Sequence, residues 1–127
     1  SKECEANDED ILNVVNNIYR IGVRPDWWKL EPLKEKENWL KLEELIFKWD
    51  KFCRGVLLLG LDRPINKLDV CFKLAKSSKI VKGFAVGRSI FGKVAENCFS
   101  GKISNSDAIE LMSKNFIKLC NLWNKKI

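Results

Sequence analysis

Features typical of several common activities are absent from this 127-residue sequence. It contains no histidine, and its five cysteines form no CxxC pair, so a clustered zinc site is not predicted. A GxxxxGK phosphate loop is also missing, which argues against kinase activity in these residues. No apolar run approaches the roughly 20 residues of a membrane span, and the polar first residues do not resemble a secretory signal. We therefore expect no metal or other cofactor and no membrane partner.

The charge is basic overall but dispersed. Lys and Arg number 23 against 17 Asp and Glu, a net charge of +6. The lysines alternate with acidic and amide residues instead of forming a basic cluster with aromatics, so solvated helix faces are predicted and nucleic acid is not an expected partner. Most cysteines lie in apolar patterns, which indicates small buried side chains in a reducing compartment. A cytoplasmic location is the expectation.

Strand and helix signals alternate along the chain and predict an α/β fold. The apolar runs GVLLLGL and IVKGFAVG are typical of strands buried on both faces, as in a parallel sheet covered by helices. A short aromatic strand is expected in VRPDWWKL, after Pro25. The predicted order is helix, strand, helix, strand, helix, strand, helix, helix. The predicted helices are Asp8 to Ile21, Glu35 to Phe52, Ile65 to Lys76, the segment SIFGKVAENCFSG, and a last helix from about Ser106, its expected N-cap, to Trp123.

Three strands are few for a free-standing parallel sheet. The two outer strands present open, apolar edges, and such edges favour pairing with further strands. Either this chain pairs with another copy, or it is the end of a larger α/β domain. Self-association, and so an oligomer, is the expected behaviour of the chain alone.

Lys29, in PDWWKLEP, is the first candidate for chemistry. In a strand, Trp27, Lys29 and Glu31 share one face. A lysine on an inward face is costly to bury as an ammonium, so its pKa is expected to fall, and the neutral amine then becomes a nucleophile toward carbonyl groups. The alternative is a structural ion pair near the end of the strand.

KGFAVGRSIFG, residues 82 to 92, is the second candidate. Gly87 and Arg88 precede a helix start, where backbone amides and a guanidinium together suit a phosphate group. The alternative is that Gly87 only permits a tight turn and that Arg88 is solvated.

CRGVLLLGLDRP, residues 53 to 64, is the third candidate. Gly60, near the end of the strand, is expected to let a ligand approach the backbone. Asp62 and Arg63 then lie either at the mouth of a barrel or in a polar turn before the next helix.

Taken together, PDWWKLEP, CRGVLLLGLD and VKGFAVGRSIF resemble the C-terminal barrel domain found behind a sugar kinase in bacterial 5-dehydro-2-deoxygluconokinase of myo-inositol catabolism. That domain is similar to class I tagatose-bisphosphate aldolases. The resemblance implies that residues 1 to 127 form one partial domain, about three β/α units from the C-terminal part of a (β/α)8 TIM barrel. The missing N-terminal barrel half, or a fused kinase domain, is the implied partner.

The resemblance also implies an activity. Lys29 and Glu31 match the lysine-x-glutamate pattern of the Schiff-base strand, and Gly87 with Arg88 matches the glycine-arginine pair associated with substrate phosphate, to which we add Gly60. The implied reaction is cleavage of 5-dehydro-2-deoxygluconate 6-phosphate, a phosphorylated keto-deoxy sugar acid, into dihydroxyacetone phosphate and malonate semialdehyde, without a cofactor. Leu58 stands where the aldolases carry a serine, and the acid/base carboxylate of earlier strands is absent. A non-catalytic or sugar-phosphate-binding barrel fragment is the alternative.

Overall fold

The computed structural model describes residues 6–60 and 62–125, which form a mixed α/β structure. The predicted order of helices and strands is confirmed. The described residues contain five helices and a three-stranded sheet. The elements are α1 (Asp8–Arg20), β1 (Trp27–Leu30), α2 (Lys36–Trp49), β2 (Gly55–Leu58), α3 (Ile65–Ala75), β3 (Val81–Phe84), α4 (Arg88–Phe99) and α5 (Asn105–Asn124).

The sheet is parallel, with its strands in the order β1-β2-β3. Lys29 of β1 is level with Leu57 of β2, which is level with Gly83 of β3. Each strand is joined to the next by one helix, and crossovers of this kind are nearly always right-handed. Because the strand order follows the chain order without reversal, the connecting helices all fall on one face of the sheet.

Alternate strand residues pack under these helices. Trp28 donates a 2.9 Å hydrogen bond from its indole nitrogen to the Tyr19 hydroxyl on α1, and their rings meet edge to face. Val56 and Leu58 of β2 are fully buried. On β3, Phe84 stacks on Phe72 of α3 with ring centroids 5.2 Å apart. This apolar layer between sheet and helices is the core.

The other face of the sheet is partly open: Trp27 is 44% exposed, and Lys29 and Lys82 are exposed as well. The prediction of strands buried on both faces is confirmed for β2, in which no residue is exposed, and was wrong for β3, where Lys82 is exposed. The wrong prediction has a physical cause. A continuous apolar run shows that both faces of a strand avoid water, but it does not show that a second layer is present in the same chain.

Some predicted helix ends were also wrong. The last helix is capped by Ser104, not Ser106: the Ser104 hydroxyl accepts a hydrogen bond from the Asp107 amide, and the Asp107 carboxylate accepts one from the Ser104 amide. This reciprocal pair is a capping box, which requires an acceptor three residues after the N-cap. Within the described residues, no helix is both long enough and apolar enough to cross a membrane.

Candidate active site

A cleft lies where the three strands end. In parallel sheets the carboxyl ends of all strands point to the same edge, so the loops that follow them meet there. The cleft has a volume of ≈ 340 Å³. Its polar and glycine lining residues come from β1 and from the segments after β2 and β3: Lys29, Gly60, Asp62, Gly87, Arg88 and Ser89.

Four of the five predicted site residues therefore line a single cleft: Lys29, Gly60, Gly87 and Arg88. Glu31 is not among its lining residues. It follows the end of β1 and lines a neighbouring cleft of ≈ 240 Å³, together with Lys29 and apolar residues of α1. Lys29 borders both spaces, so it stands between Glu31 on one side and Arg88 on the other.

Lys29 projects from the open face of the sheet. The prediction that its side chain is buried was wrong, since Lys29 is exposed in the described structure. Its neighbours in sequence, Trp28 and Leu30, point toward the helices and occupy the core layer. The amine is thus free of the core and reaches the cleft from the open face.

Gly60 has a different structural role from the predicted one. A Cβ at this position would lie 2.8 Å from a methyl carbon of Val86 and 3.1 Å from the Ser89 hydroxyl. The first distance is shorter than real Cβ contacts and the second is tight, so Gly60 allows the end of β2 to pack closely against the segment that leads into α4. We expected a ligand to lie against the backbone of Gly60, but Val86 and Ser89 occupy that space. Gly60 still borders the cleft.

Gly87 and Arg88 begin α4. Gly87 is the N-cap, and its carbonyl accepts the amides of Ile90 at 2.8 Å and Phe91 at 3.1 Å. The amides of Arg88 and Ser89 precede these first helical hydrogen bonds and lie at the positive end of the helix dipole. Arg88 is exposed, so its guanidinium adds a full charge at the same end of the cleft.

Ser89 and Asp62 were not predicted as site residues. The Ser89 hydroxyl is shielded from solvent and has no hydrogen-bond partner among the described residues. The signal in the sequence that could have identified Ser89 is its position directly after the Gly87-Arg88 pair. Asp62 adopts a left-handed φ of 59° in the loop after β2. The sequence left it undecided between a barrel mouth and a turn, and it is in fact both in a turn and in the cleft.

The fold and this cleft define an α/β protein with a candidate site at the carboxyl edge of a one-sided parallel sheet. The chain belongs to the family described as an uncharacterized protein conserved in bacteria, DUF2090, whose family model matches residues 1–127. No curated protein and no solved structure was found to match it.

Proposed function

We propose that this chain forms part of a class I, Schiff-base aldolase of the (β/α)8 barrel type that cleaves a phosphorylated keto-deoxy sugar acid. The observation that carries the proposal is the shared cleft of Lys29, Gly87 and Arg88. These residues come from opposite edges of the sheet. An amine nucleophile and an anion-binding helix start are the two parts that such a reaction requires.

The topology supports the barrel. Sequential strand order with helices on one face is the arrangement of (β/α)8 barrels, in which the other face lines the interior. The open face carries Trp27, Lys29 and Lys82, and neither β1 nor β3 has a second partner strand in the described residues. Further β/α units, from another chain or from a longer polypeptide that also carries a sugar kinase, are the proposed partners. Their strands would extend both edges and enclose Lys29.

The proposed chemistry begins with the Lys29 amine. It adds to the ketone carbon of 5-dehydro-2-deoxygluconate 6-phosphate, and loss of water gives an iminium ion. The iminium withdraws the electron pair of the C–C bond one carbon away as that bond breaks, while a hydroxyl proton leaves and the departing fragment becomes malonate semialdehyde. Protonation of the resulting enamine and hydrolysis of the C=N bond release dihydroxyacetone phosphate and restore Lys29.

Phosphate binding orients the substrate in this scheme. The exposed Arg88 guanidinium and the first amides of α4 form charge-assisted hydrogen bonds with the phosphate oxygens. The Ser89 hydroxyl is an additional donor in the same turn. Binding at this end fixes the position of the ketone relative to Lys29, and such positioning lowers the entropic part of the barrier.

Borohydride trapping tests the nucleophile. Dihydroxyacetone phosphate with borohydride is expected to leave a reduced adduct on Lys29, identified by peptide mass spectrometry, and Lys29→Met is expected to abolish it. Lys82→Met is the matched control, because Lys82 is an exposed strand lysine of the same sheet that does not border the cleft. An adduct on other lysines only, in the folded full-length protein, refutes the nucleophile.

Phosphate affinity tests the anion site. Arg88→Ala is expected to weaken binding of dihydroxyacetone phosphate by roughly tenfold or more, as expected for loss of a charge-assisted contact. Lys93→Ala removes the same charge from the same helix, where Lys93 pairs with Glu96 at 2.9 Å in an exposed position, and should leave affinity unchanged. Equal effects of the two substitutions would show only a general charge effect.

The exposure of Lys29 favours a second candidate function, a sugar-phosphate-binding fragment without covalent chemistry. Nothing among the described residues covers the Lys29 side chain, whereas covalent chemistry is favoured in a site that excludes water. Such a protein binds dihydroxyacetone phosphate through Arg88, retains that affinity in Lys29→Met, and gives no trapped adduct. The trapping and affinity experiments therefore distinguish the two functions.

A further inference from the structure

We propose that Asp62 is the proton-transfer group for imine formation at Lys29, an inference that rests on the proposed function. The aldolase resemblance assigns no role to this position and implies an acid/base carboxylate on earlier strands. Asp62 is the single carboxylate among the described residues that line the cleft of Lys29 and Arg88. Glu31 borders the neighbouring cleft instead.

The loop after β2 holds the Asp62 side chain toward α4. The amide of Arg63 donates to the Gly60 carbonyl at 2.9 Å, which closes a tight turn with Asp62 as its third residue. One carboxylate oxygen of Asp62 lies 3.8 Å from the position that a Cβ on Gly92 would take, and the Cβ of Arg88 lies 3.6 Å from the same point. The carboxylate and the Cβ of Arg88 thus both lie close to the same point on α4, on the Arg88 side of the cleft.

The turn does not require a carboxylate. Asp62 has a φ of 59°, a left-handed conformation that glycine and asparagine adopt readily and that aspartate also tolerates. Glycine or asparagine would satisfy the same turn without a negative charge. Asp62 is exposed, so its carboxylate is not part of the core and is available to the cleft.

Imine formation from a lysine ammonium requires two proton transfers. One proton must leave the ammonium before the amine can attack the carbonyl carbon, and a second leaves the nitrogen after the C–N bond has formed. Both end on the former carbonyl oxygen, which departs as water when the C–O bond breaks and the C=N bond forms. Asp62 accepts each proton in turn and delivers it to that oxygen, so ammonium plus ketone become iminium plus water, with no further reactant.

The competing role for Asp62 is neutralisation of Arg88. A carboxylate beside the guanidinium would lower phosphate affinity without any part in proton transfer. The two roles differ in what Asp62→Asn changes. Loss of proton transfer slows trapping at saturating ligand, whereas loss of neutralisation tightens binding and leaves the saturated rate unchanged.

The experiment measures the rate of adduct formation on Lys29 with saturating dihydroxyacetone phosphate and cyanoborohydride. Asp62→Asn and Asp62→Gly both suit the left-handed backbone, so each is expected to keep the wild-type melting temperature and to lower the rate about a hundredfold, within the usual contribution of acid/base catalysis. Asp26→Asn is the matched control. Asp26 is an exposed carboxylate that precedes β1, at the opposite end of the strands.

The outcomes separate the two proposals. No adduct on Lys29 in the folded full-length wild-type protein refutes the aldolase function and this role together. A wild-type adduct that forms equally fast in Asp62→Asn leaves the aldolase function standing and refutes the role of Asp62. The same refutation follows if Glu31→Gln alone slows the reaction, or if Asp62→Asn only tightens binding.

Discussion

Replacing Asp8 with alanine is expected to cost about 3 kcal/mol of the free energy of unfolding, because its carboxylate caps a helix other than its own. Asp8 belongs to α1 and is only 8% exposed. Its two oxygens accept the amide of Lys34 at 2.9 and 3.0 Å, and one of them also accepts the amide of Glu35 at 3.1 Å and the side-chain amide of Asn38 at 2.9 Å.

The magnitude follows from these contacts. Glu35, the N-cap of α2, makes no capping hydrogen bond through its own side chain, so Asp8 supplies the missing acceptor across 27 residues of sequence. Hydrogen bonds to a charged group contribute about 1.5–3 kcal/mol each. Asp8 accepts hydrogen bonds from three groups, but Lys34 and Glu35 are exposed, so in the variant water forms hydrogen bonds with their amides and offsets part of the lost stability. We therefore count two hydrogen bonds at about 1.5 kcal/mol each, which gives about 3 kcal/mol.

Urea unfolding, followed by tryptophan fluorescence, measures this loss. Asn7→Ala is the control, because Asn7 caps α1 in an exposed, local capping box and is expected to cost only about 1 kcal/mol. Asp8→Asn keeps one acceptor oxygen and should fall between the two. In a domain of this size 3 kcal/mol corresponds to a decrease in melting temperature of roughly 10 °C. If Asp8→Ala costs no more than Asn7→Ala, the cross-helix cap does not contribute as argued.

Three further expectations can be checked on the same protein. Gly55→Ala should lower the free energy of unfolding, measured in urea, by about 2 kcal/mol or more, because Gly55 has a φ of +148° and an added Cβ would lie 2.7 Å from a backbone oxygen. Gly83→Ala is the control and should be nearly neutral, because the nearest atom to its added Cβ is 3.7 Å away. Burial raises the pKa of Tyr19, the single tyrosine, to about 12. Because the folded state holds this proton more tightly, the contribution of Tyr19 to stability should be constant below pH 10 and be lost from there toward pH 12, together with the appearance of tyrosinate absorbance. Burial also raises the pKa of the Cys53 thiol, so iodoacetamide should modify Cys53 more slowly than half-buried Cys98.

The helices and strands could be predicted because their signals are local. The helical period of apolar residues between Ile11 and Ile21 predicted α1. Of these residues Ile11, Val15 and Tyr19 are in the core, whereas Val14 and Ile21 are exposed. Helix ends were less certain. Ser104 and Ser106 are both suitable caps, and the choice depends on whether an acidic residue lies three positions later, as Asp107 does for Ser104.

The environment of Lys29 could not be read from the sequence. Alternation of side chains identified the strand face that carries Lys29, but whether that face is covered depends on neighbours in space. In the same way, the space above Gly60 is occupied by Val86 and Ser89, more than 25 residues later, and no local pattern reports this contact. The conformation of Asp62 depends on a turn that joins β2 to α3, and an aspartate before an Arg-Pro pair does not reveal its φ.

The spacing of the strands limits the ligand that the cleft can hold. Lys29 lies on β1 and Arg88 follows β3, so two strand spacings, about 10 Å across the sheet, separate them laterally. Arg88 also follows Gly83, the residue level with Lys29, by five positions, which adds to the separation along the strands. The four-carbon stem of the lysine crosses part of this distance, and the arginine side chain and the amides of α4 approach from the other side. Under the proposed function, one ligand must cover the span that remains between the Lys29 amine and a phosphate at Arg88. A ketone close to its phosphate, as in dihydroxyacetone phosphate and in a 5-keto acid 6-phosphate, suits this span. A sugar phosphate with its carbonyl at the far end of the chain does not, and it should compete for the phosphate site without forming an adduct on Lys29.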